Sequence, residues 1–273
     1  MARTTRRSPA VRLHADGTRT SRPDTLAGEE PLEISLDGQR WLVTMRTPGD
    51  DVDLVHGLLL AEGVISRADQ VLRVGYGPGV DAGGLLEYNA VDVRLGDGAR
   101  APERRERAVY TSASCGICGT SSIEALARTS SHPVADPGVR VRLATLLALP
   151  DRLRERQRLF DRTGGVHAAG LLLDDELVCV REDVGRHNAV DKVLGRALRD
   201  GLVPLTGAVL QVSGRLSYEL VQKASMAGVP VLAAVSAPSA AAVELAEEVG
   251  MTVVGFSRGT SLSVYTRPDR VVA

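Results

Sequence analysis

Between Pro31 and Val43 apolar residues fall on alternate positions, Leu32-x-Ile34-x-Leu36 and then Trp41-x-Val43, on either side of Asp37-Gly38. A period of two interrupted by an Asp-Gly pair predicts a β-hairpin with a two-residue turn. The period then lengthens: Val52, Val55, Leu58, Leu59 and Ala61 predict an amphipathic helix within Asp50–Ile65 that ends near Gly63. Extended segments are expected near Val71–Val74, Leu85–Tyr88 and Val91–Leu95, between polar, Gly-rich loops, so residues 29–110 read as a β-rich N-terminal domain. After a Pro/Gly linker at Pro133–Gly138, the apolar spacing of Leu143–Phe160 predicts one amphipathic helix bearing Arg152, Arg154, Arg156 and Arg158.

From Val166 onward short apolar runs alternate with helical segments. The runs are Leu171–Leu173, Leu177–Val180, Ala208–Val212, Val229–Val235 and Met251–Phe256, with helices expected from about His187, Ser217 and Ser239. Near-continuous apolar strands with crossover helices predict an α/β sandwich over residues 139–273, around a mostly parallel sheet whose ligand sites lie where strands end and helices begin.

Composition narrows the picture. With 273 residues, 44% hydrophobic and 3% aromatic, the chain can bury a sizeable core of Val, Leu and Ala. A formal net charge of −1 gives no overall field for nucleic acid or a membrane surface, so an anionic partner must meet a local cluster. Residues 1–28 are Arg-rich without an apolar period and read as a disordered arm, not a secretory signal; with no stretch of about 18 apolar residues, a cytoplasmic protein is expected. Of the 33 basic residues only Lys192 and Lys223 are lysine, which suggests a specific need at those two places.

The candidate chemistry begins at Thr111–Thr120, a Ser/Gly-rich stretch holding Cys115 and Cys118, two of the three cysteines, as Cys-x-x-Cys. Residues 111–138 read as a mobile thiol loop followed by a helix and linker, at the junction of the two domains. Ser121-x-x-Glu124 has capping-box spacing, which sets Cys118 beside a helix N-terminus where thiolate is favoured. A structural zinc half-site and a thioredoxin-like dithiol are the competing readings. Zinc lacks a second ligand pair, since Cys179, His132, His167 and His187 are scattered, and a redox dithiol belongs near a βαβ start. Cys179, inside a predicted apolar strand, is expected to be inert.

The strand ends are polar beyond what packing requires. Ser213-Gly214-Arg215 opens a helix and offers free N–H groups with a guanidinium fork, a combination suited to phosphate or diphosphate. Arg186, Lys223 and Arg258 are expected to add positive charge to the same face. Asp183 is a candidate helix cap, and His187 with Asp191 a candidate surface pair one turn apart.

Taken together, Ser114-Cys-Gly-Ile-Cys-Gly119, Thr163-Gly-Gly-Val-His-Ala-Ala169, Arg181-Glu-Asp-Val-Gly-Arg-His-Asn-Ala-Val-Asp-Lys192, Ser213-Gly-Arg215 with Val221-Gln-Lys223, and Gly255-Phe256 resemble the formate dehydrogenase accessory sulfurtransferase family, FdhD, from about Glu30 to the end. The resemblance implies a cytidine-deaminase-like α/β fold for the second domain and a cytoplasmic, homodimeric sulfur carrier. Such a carrier takes persulfide sulfur from a cysteine desulfurase and passes it to the bis-guanine dinucleotide form of the molybdenum cofactor, for formate dehydrogenase. It implies Cys115 as persulfide carrier, Cys118 as partner or relay, and Phe256, Ser257, Arg258, Gly259, Thr260 and Ser261 as the cofactor-contacting loop. Ser213, Gly214, Arg215, Lys223, His187 and Lys192 complete the expected cofactor site. No Pro-Cys-x-x-Cys opens the helix after Val212, so zinc-dependent deaminase chemistry is not expected. Ser263 stands where many members have Asn. A cofactor-binding insertion chaperone, in which the cysteines only dock a partner, is the competing function.

Overall fold

The computed structural model describes residues 4–77, 88–100, 130–135 and 138–273. The Cys115/Cys118 loop therefore lies outside the described residues.

The predicted N-terminal hairpin forms as β3 (Glu30–Leu36) and β4 (Gln39–Arg46), turning through Asp37 and Gly38, both at positive φ (49° and 78°), which the Asp-Gly pair tolerates. With β5 (Val71–Tyr76) and β6 (Ala90–Leu95) these strands make a four-stranded sheet of order β4-β3-β6-β5. Ahead of it, β1 (Thr5–Leu13) and β2 (Arg19–Ala27) pair in unbroken antiparallel register, so the stretch expected as a disordered arm is a hairpin. Its turn carries a second Asp-Gly pair, with Gly17 at φ 82° and the Thr18 N–H donating to Asp16 at 2.9 Å.

The central sheet is built from β8 (His167–Leu173), β9 (Glu176–Asp183), β10 (Val209–Val212), β11 (Val231–Ala234), β12 (Thr252–Arg258) and β13 (Ser261–Val264), in the order β13-β12-β11-β10-β8-β9. Only β10-β11 and β11-β12 are parallel; the other three pairings are antiparallel, so the sheet is mixed where a mostly parallel one was expected. The cause is local: β8-β9 and β12-β13 are sequence neighbours whose two-residue turns fold them back on themselves.

Helices cover both faces. One layer holds α4 (Arg186–Arg199), α5 (Tyr218–Met226) and α6 (Ala240–Glu248), and the other holds α2 (Leu143–Arg154), packed on Leu172, Leu177, Val209, Val231 and Val254 through Leu146 and Leu149. Helix α1 (Asp51–Ala61) lies against α4 and joins the N-terminal sheet to the α/β unit, so Leu32, Ile34, Leu59, Val193 and Leu210 belong to one apolar cluster. The two helices cross at Gly57 and Gly195. A Cβ built at Gly57 would stand 1.9 Å from the Asp191 carbonyl oxygen, and one at Gly195 1.8 Å from that of Asp53, so only glycine fits. The short β7 (Val141–Arg142) and β14 (Val271–Val272) pair beside α2.

The helix expected over Leu143–Phe160 breaks at Glu155–Gln157 and restarts as α3 (Arg158–Thr163). Both oxygens of Glu182 on β9 accept from the N–H groups of Leu159 and Phe160, at 2.8 Å each, which fixes a new helix start there. The α/β sandwich with a smaller β-rich N-terminal part is thus the fold of this chain.

Candidate functional site

Strands β9 to β12 end, and β8 begins, along one edge of the central sheet, and α4, α5 and α6 start there. The loops that leave β10, β11 and β12 are laced into a continuous rim. Leu216 donates to the Ala237 carbonyl at 3.2 Å, Ser239 to that of Leu216 at 2.9 Å, and Phe256 to that of Ser236 at 3.2 Å. On the other side, the Ala168 N–H donates to Ser213 Oγ at 2.8 Å, and His167 stands opposite Asp183 in the β8-β9 register. Three helix N-termini on one rim give it a positive potential and spare N–H donors.

Several expected residues are exposed on this rim. Arg215 projects into solvent, and Arg258 lies 6.0 Å from the centroid of the Phe256 ring. Phe256 is at φ 51° in a β-bulge of β12 and leaves 38% of its surface open. A bulky residue in left-handed conformation with an uncovered ring is a strained, poorly buried arrangement, of the kind that collects at ligand sites. The residue before it, Gly255, is tightly enclosed: a Cβ there would stand 3.0 Å from Pro238 and from Tyr265. Gly259, at φ 61°, turns the chain into β13, with Thr260 and Ser261 exposed beside it. Ser213 and Gly214 are half-buried, and a Cβ at 214 would make ordinary contact with His167 at 3.4 Å and Arg186 at 3.9 Å, so packing does not demand glycine there.

Four others turn inward. Ser257 is fully buried, its hydroxyl donating to the Leu146 carbonyl at 2.9 Å. Lys192 is 1% exposed and bonds Asp183 at 2.8 Å and the Thr47 carbonyl at 2.9 Å. Lys223 binds both oxygens of Asp191, at 2.8 and 2.9 Å, between α5 and α4, so its charge is not offered to the rim as expected. His187 is buried with Nε2 2.7 Å from Glu219 and 3.3 Å from Ser217 Oγ; the His187–Asp191 surface pair does not form. The special use of both lysines is therefore a compact ammonium inside a buried ion pair.

Asp183 is the hub that sequence reasoning underrated. Oδ1 accepts from the Gly185 N–H (2.8 Å) and Asn188 Nδ2 (3.1 Å), and Oδ2 from the Thr47 N–H (3.1 Å) and Lys192. Asn188 also donates to the Met45 carbonyl at 2.7 Å, so the 181–192 block ties the exit of β4 to the start of α4. Glu219 and Arg186 complete the surroundings of the histidines. Burial first, then the charges of Arg186 and His187, hold the His167 pKa below its ordinary value. Far from the rim, burial pushes the Cys179 thiol up to about 11, in keeping with an unreactive group. Cys115 and Cys118 lie outside the described residues. Among the described residues no three His, Cys, Asp or Glu side chains gather as a metal site, and no helix is long and apolar enough to cross a membrane.

The fold is thus an α/β sandwich whose strand-end edge gathers exposed arginines, helix N-termini and a strained aromatic. This chain belongs to the FdhD/NarQ family, whose model matches residues 27–272. It is 55% identical over 274 residues to the sulfur carrier protein FdhD of Streptomyces coelicolor, covering 99% of this chain and 97% of that one. It is 53% identical to that of Mycobacterium tuberculosis, covering 95% of each. A crystal structure of a protein assigned as a formate dehydrogenase accessory protein, from Desulfotalea psychrophila, superposes with a TM-score of 0.77 at 25% identity, over 99% of this chain and all of that one.

Proposed function

We propose that this chain is a sulfur carrier that serves formate dehydrogenase by delivering sulfur to the bis-guanine dinucleotide molybdenum cofactor. The Cys115 thiolate attacks the outer sulfur of a cysteine desulfurase persulfide. The S–S bond to the donor breaks, the donor leaves as thiolate, and Cys115 holds the sulfane sulfur. Cys118 assists as partner or relay. The cofactor, here the acceptor and not a resident group, rests on the strand-end rim. Arg215 and Arg258 meet its diphosphates, N–H groups at the starts of α5 and α6 add donors, and the Phe256 ring lies against a flat face of the ligand. Ser213, Gly214, Gly259, Thr260 and Ser261 line the approach, while His187, Lys192, Lys223 and Ser257 keep the rim in shape from below. The active form is a cytoplasmic homodimer.

The observation that carries this reading is the exposed Phe256–Arg258 pair on a strained bulge, beside the loop that bears Arg215, in a chain whose family relatives are named sulfur carriers. GDP, as a surrogate for one arm of the cofactor, tests it by calorimetry. Binding that weakens in Arg215→Ala and Arg258→Ala supports the rim as the site. The same affinity in both variants removes the rim from it.

A further inference from the structure

A second cationic site lies away from the strand-end rim. Where the base of the β1-β2 hairpin meets α3 and the start of α1, a cavity of about 320 Å³ opens between Thr47–Asp50, the Arg156–Arg162 segment and the end of β9. Its volume lies at the lower end of small-molecule sites. Five basic side chains line it, Arg156, Arg158, Arg162, Arg181 and Lys192, against two acids, Asp50 and Glu182.

The acids do not neutralise the cluster. Glu182 is occupied by the N–H groups of Leu159 and Phe160, and Asp50 lies 3.5 Å from Arg181, whose fork is directed mainly at Asp53, at 2.8 Å. Lys192 is taken by Asp183. That leaves three guanidinium groups on one cavity without an acid partner among the described residues. Among the described residues Arg162 bonds only the Thr5 hydroxyl, at 3.2 Å, and Arg156 and Arg158 make no side-chain bond. The break in the helix at Glu155–Gln157 brings about this convergence. Along the same segment Arg152 turns to the Asp175 carbonyl and Arg154 to Asp161, whereas Arg156 and Arg158 turn to the cavity. Like charges crowded at a partly enclosed site repel, and a multiply charged oxyanion reverses the sign of that energy through bidentate hydrogen bonds.

We infer that this cavity is a binding site for a small phosphorylated molecule, with Arg156, Arg158 and Arg162 holding its phosphate groups. It is separate from the rim proposed for the cofactor. The test uses inorganic diphosphate, titrated calorimetrically into the full chain, its Arg156→Ala/Arg158→Ala variant and its Arg215→Ala/Arg258→Ala variant. Both pairs are exposed, so thermal unfolding should report folded protein in each case. The inference expects diphosphate affinity to fall at least about tenfold in the first variant and to persist in the second, since each pair removes charged hydrogen bonds from one site only. An Arg156→Ala/Arg158→Ala variant that binds as well as the parent overturns it, as does binding abolished by the Arg215/Arg258 pair alone. Binding that vanishes at about 0.15 M salt also overturns it, because it would be diffuse surface attraction. GDP binding that is insensitive to Arg215 and Arg258 would instead count against the rim, so the two readings fail separately. A phosphate ester that binds more tightly than inorganic diphosphate would mark the natural ligand as an organic phosphate; the reverse would mark it as the free ion.

Discussion

Ser257 Oγ donates a 2.9 Å hydrogen bond to the carbonyl of Leu146, the one that Pro150, four residues on and without an N–H, leaves unbonded inside α2. A strand residue thereby repairs a helix defect across the lower face of the sheet. Ser257→Ala leaves a buried carbonyl without a donor, which costs about 1–3 kcal/mol. Urea unfolding should show that loss, with GDP binding retained. Its neighbour Arg258 should behave in the opposite way, losing ligand and keeping stability. A Ser257→Ala variant of full stability that no longer binds GDP would return Ser257 to the site.

The crossing of α1 and α4 leaves no room at Gly57, where a Cβ would overlap the backbone of Asp191. Gly57→Ala must push the helices apart and disturb both the N-terminal sheet and the α4 packing, so a loss of about 3 kcal/mol or more is expected. Chemical denaturation measures it, and a variant close to the parent in stability would contradict the described crossing.

Lys223 and Asp191 form a pair that α4 and α5 enclose, with Asp191 fully buried and its pKa raised by burial against the pull of Lys223. Lys223→Met strands the carboxylate and should destabilise by about 3–5 kcal/mol. Lys223→Met combined with Asp191→Leu removes both charges and should recover much of that loss. A double variant no better than the single one would show that the pair is needed for more than charge balance.

How much of this was legible in the chain depended on where each signal came from. Asp37-Gly38 between alternating apolar runs fixed β3, β4 and their turn, because hairpin register is decided locally. The β1-β2 hairpin has the same turn chemistry at Asp16-Gly17, yet its strands are mostly exposed on both faces, so no apolar period announces them. The break after α2 was invisible for a different reason: Leu153, Leu159 and Phe160 continue a helical spacing, and the carboxylate that ends it comes from Glu182, more than twenty residues away. At the rim, Arg215 and Arg258 were readable as charged residues at strand ends, and both are exposed there, whereas Phe256 was pointed to only by the family resemblance. Lys192, Lys223 and Ser257 were not readable as scaffold, since only the fold reveals that Asp183, Asp191 and the Leu146 carbonyl wait for them.

Protonation of His167 should be visible in stability. Its pKa is held below the ordinary 6.5 in the folded chain by burial, then by Arg186 and His187, against Asp183, whereas the unfolded chain takes up its proton near 6.5. Below about pH 6.5 the folded state therefore binds fewer protons than the unfolded one, so stability is complete above about 6.5 and is lost as pH falls through the folded value. Buried His56, also lowered by burial and Arg199, adds to the same trend. His167→Asn should reduce the loss of unfolding free energy between pH 7 and pH 5, relative to the parent, by removing one of the two groups. An unchanged pH profile would assign the trend to other residues.

Sulfur carriage by Cys115 is tested most directly by intact mass after incubation with a cysteine desulfurase and cysteine. The chain should gain ~32 Da, one sulfur atom on a reactive thiol, and lose it to a reductant. Cys179→Ala should gain it equally, because that thiol is buried with a pKa of about 11. Cys115→Ala should gain nothing and should fail to activate formate dehydrogenase. A Cys115→Ala chain that still acquires sulfur and activates the enzyme as well as the parent does would contradict the account and leave cofactor binding alone as the function.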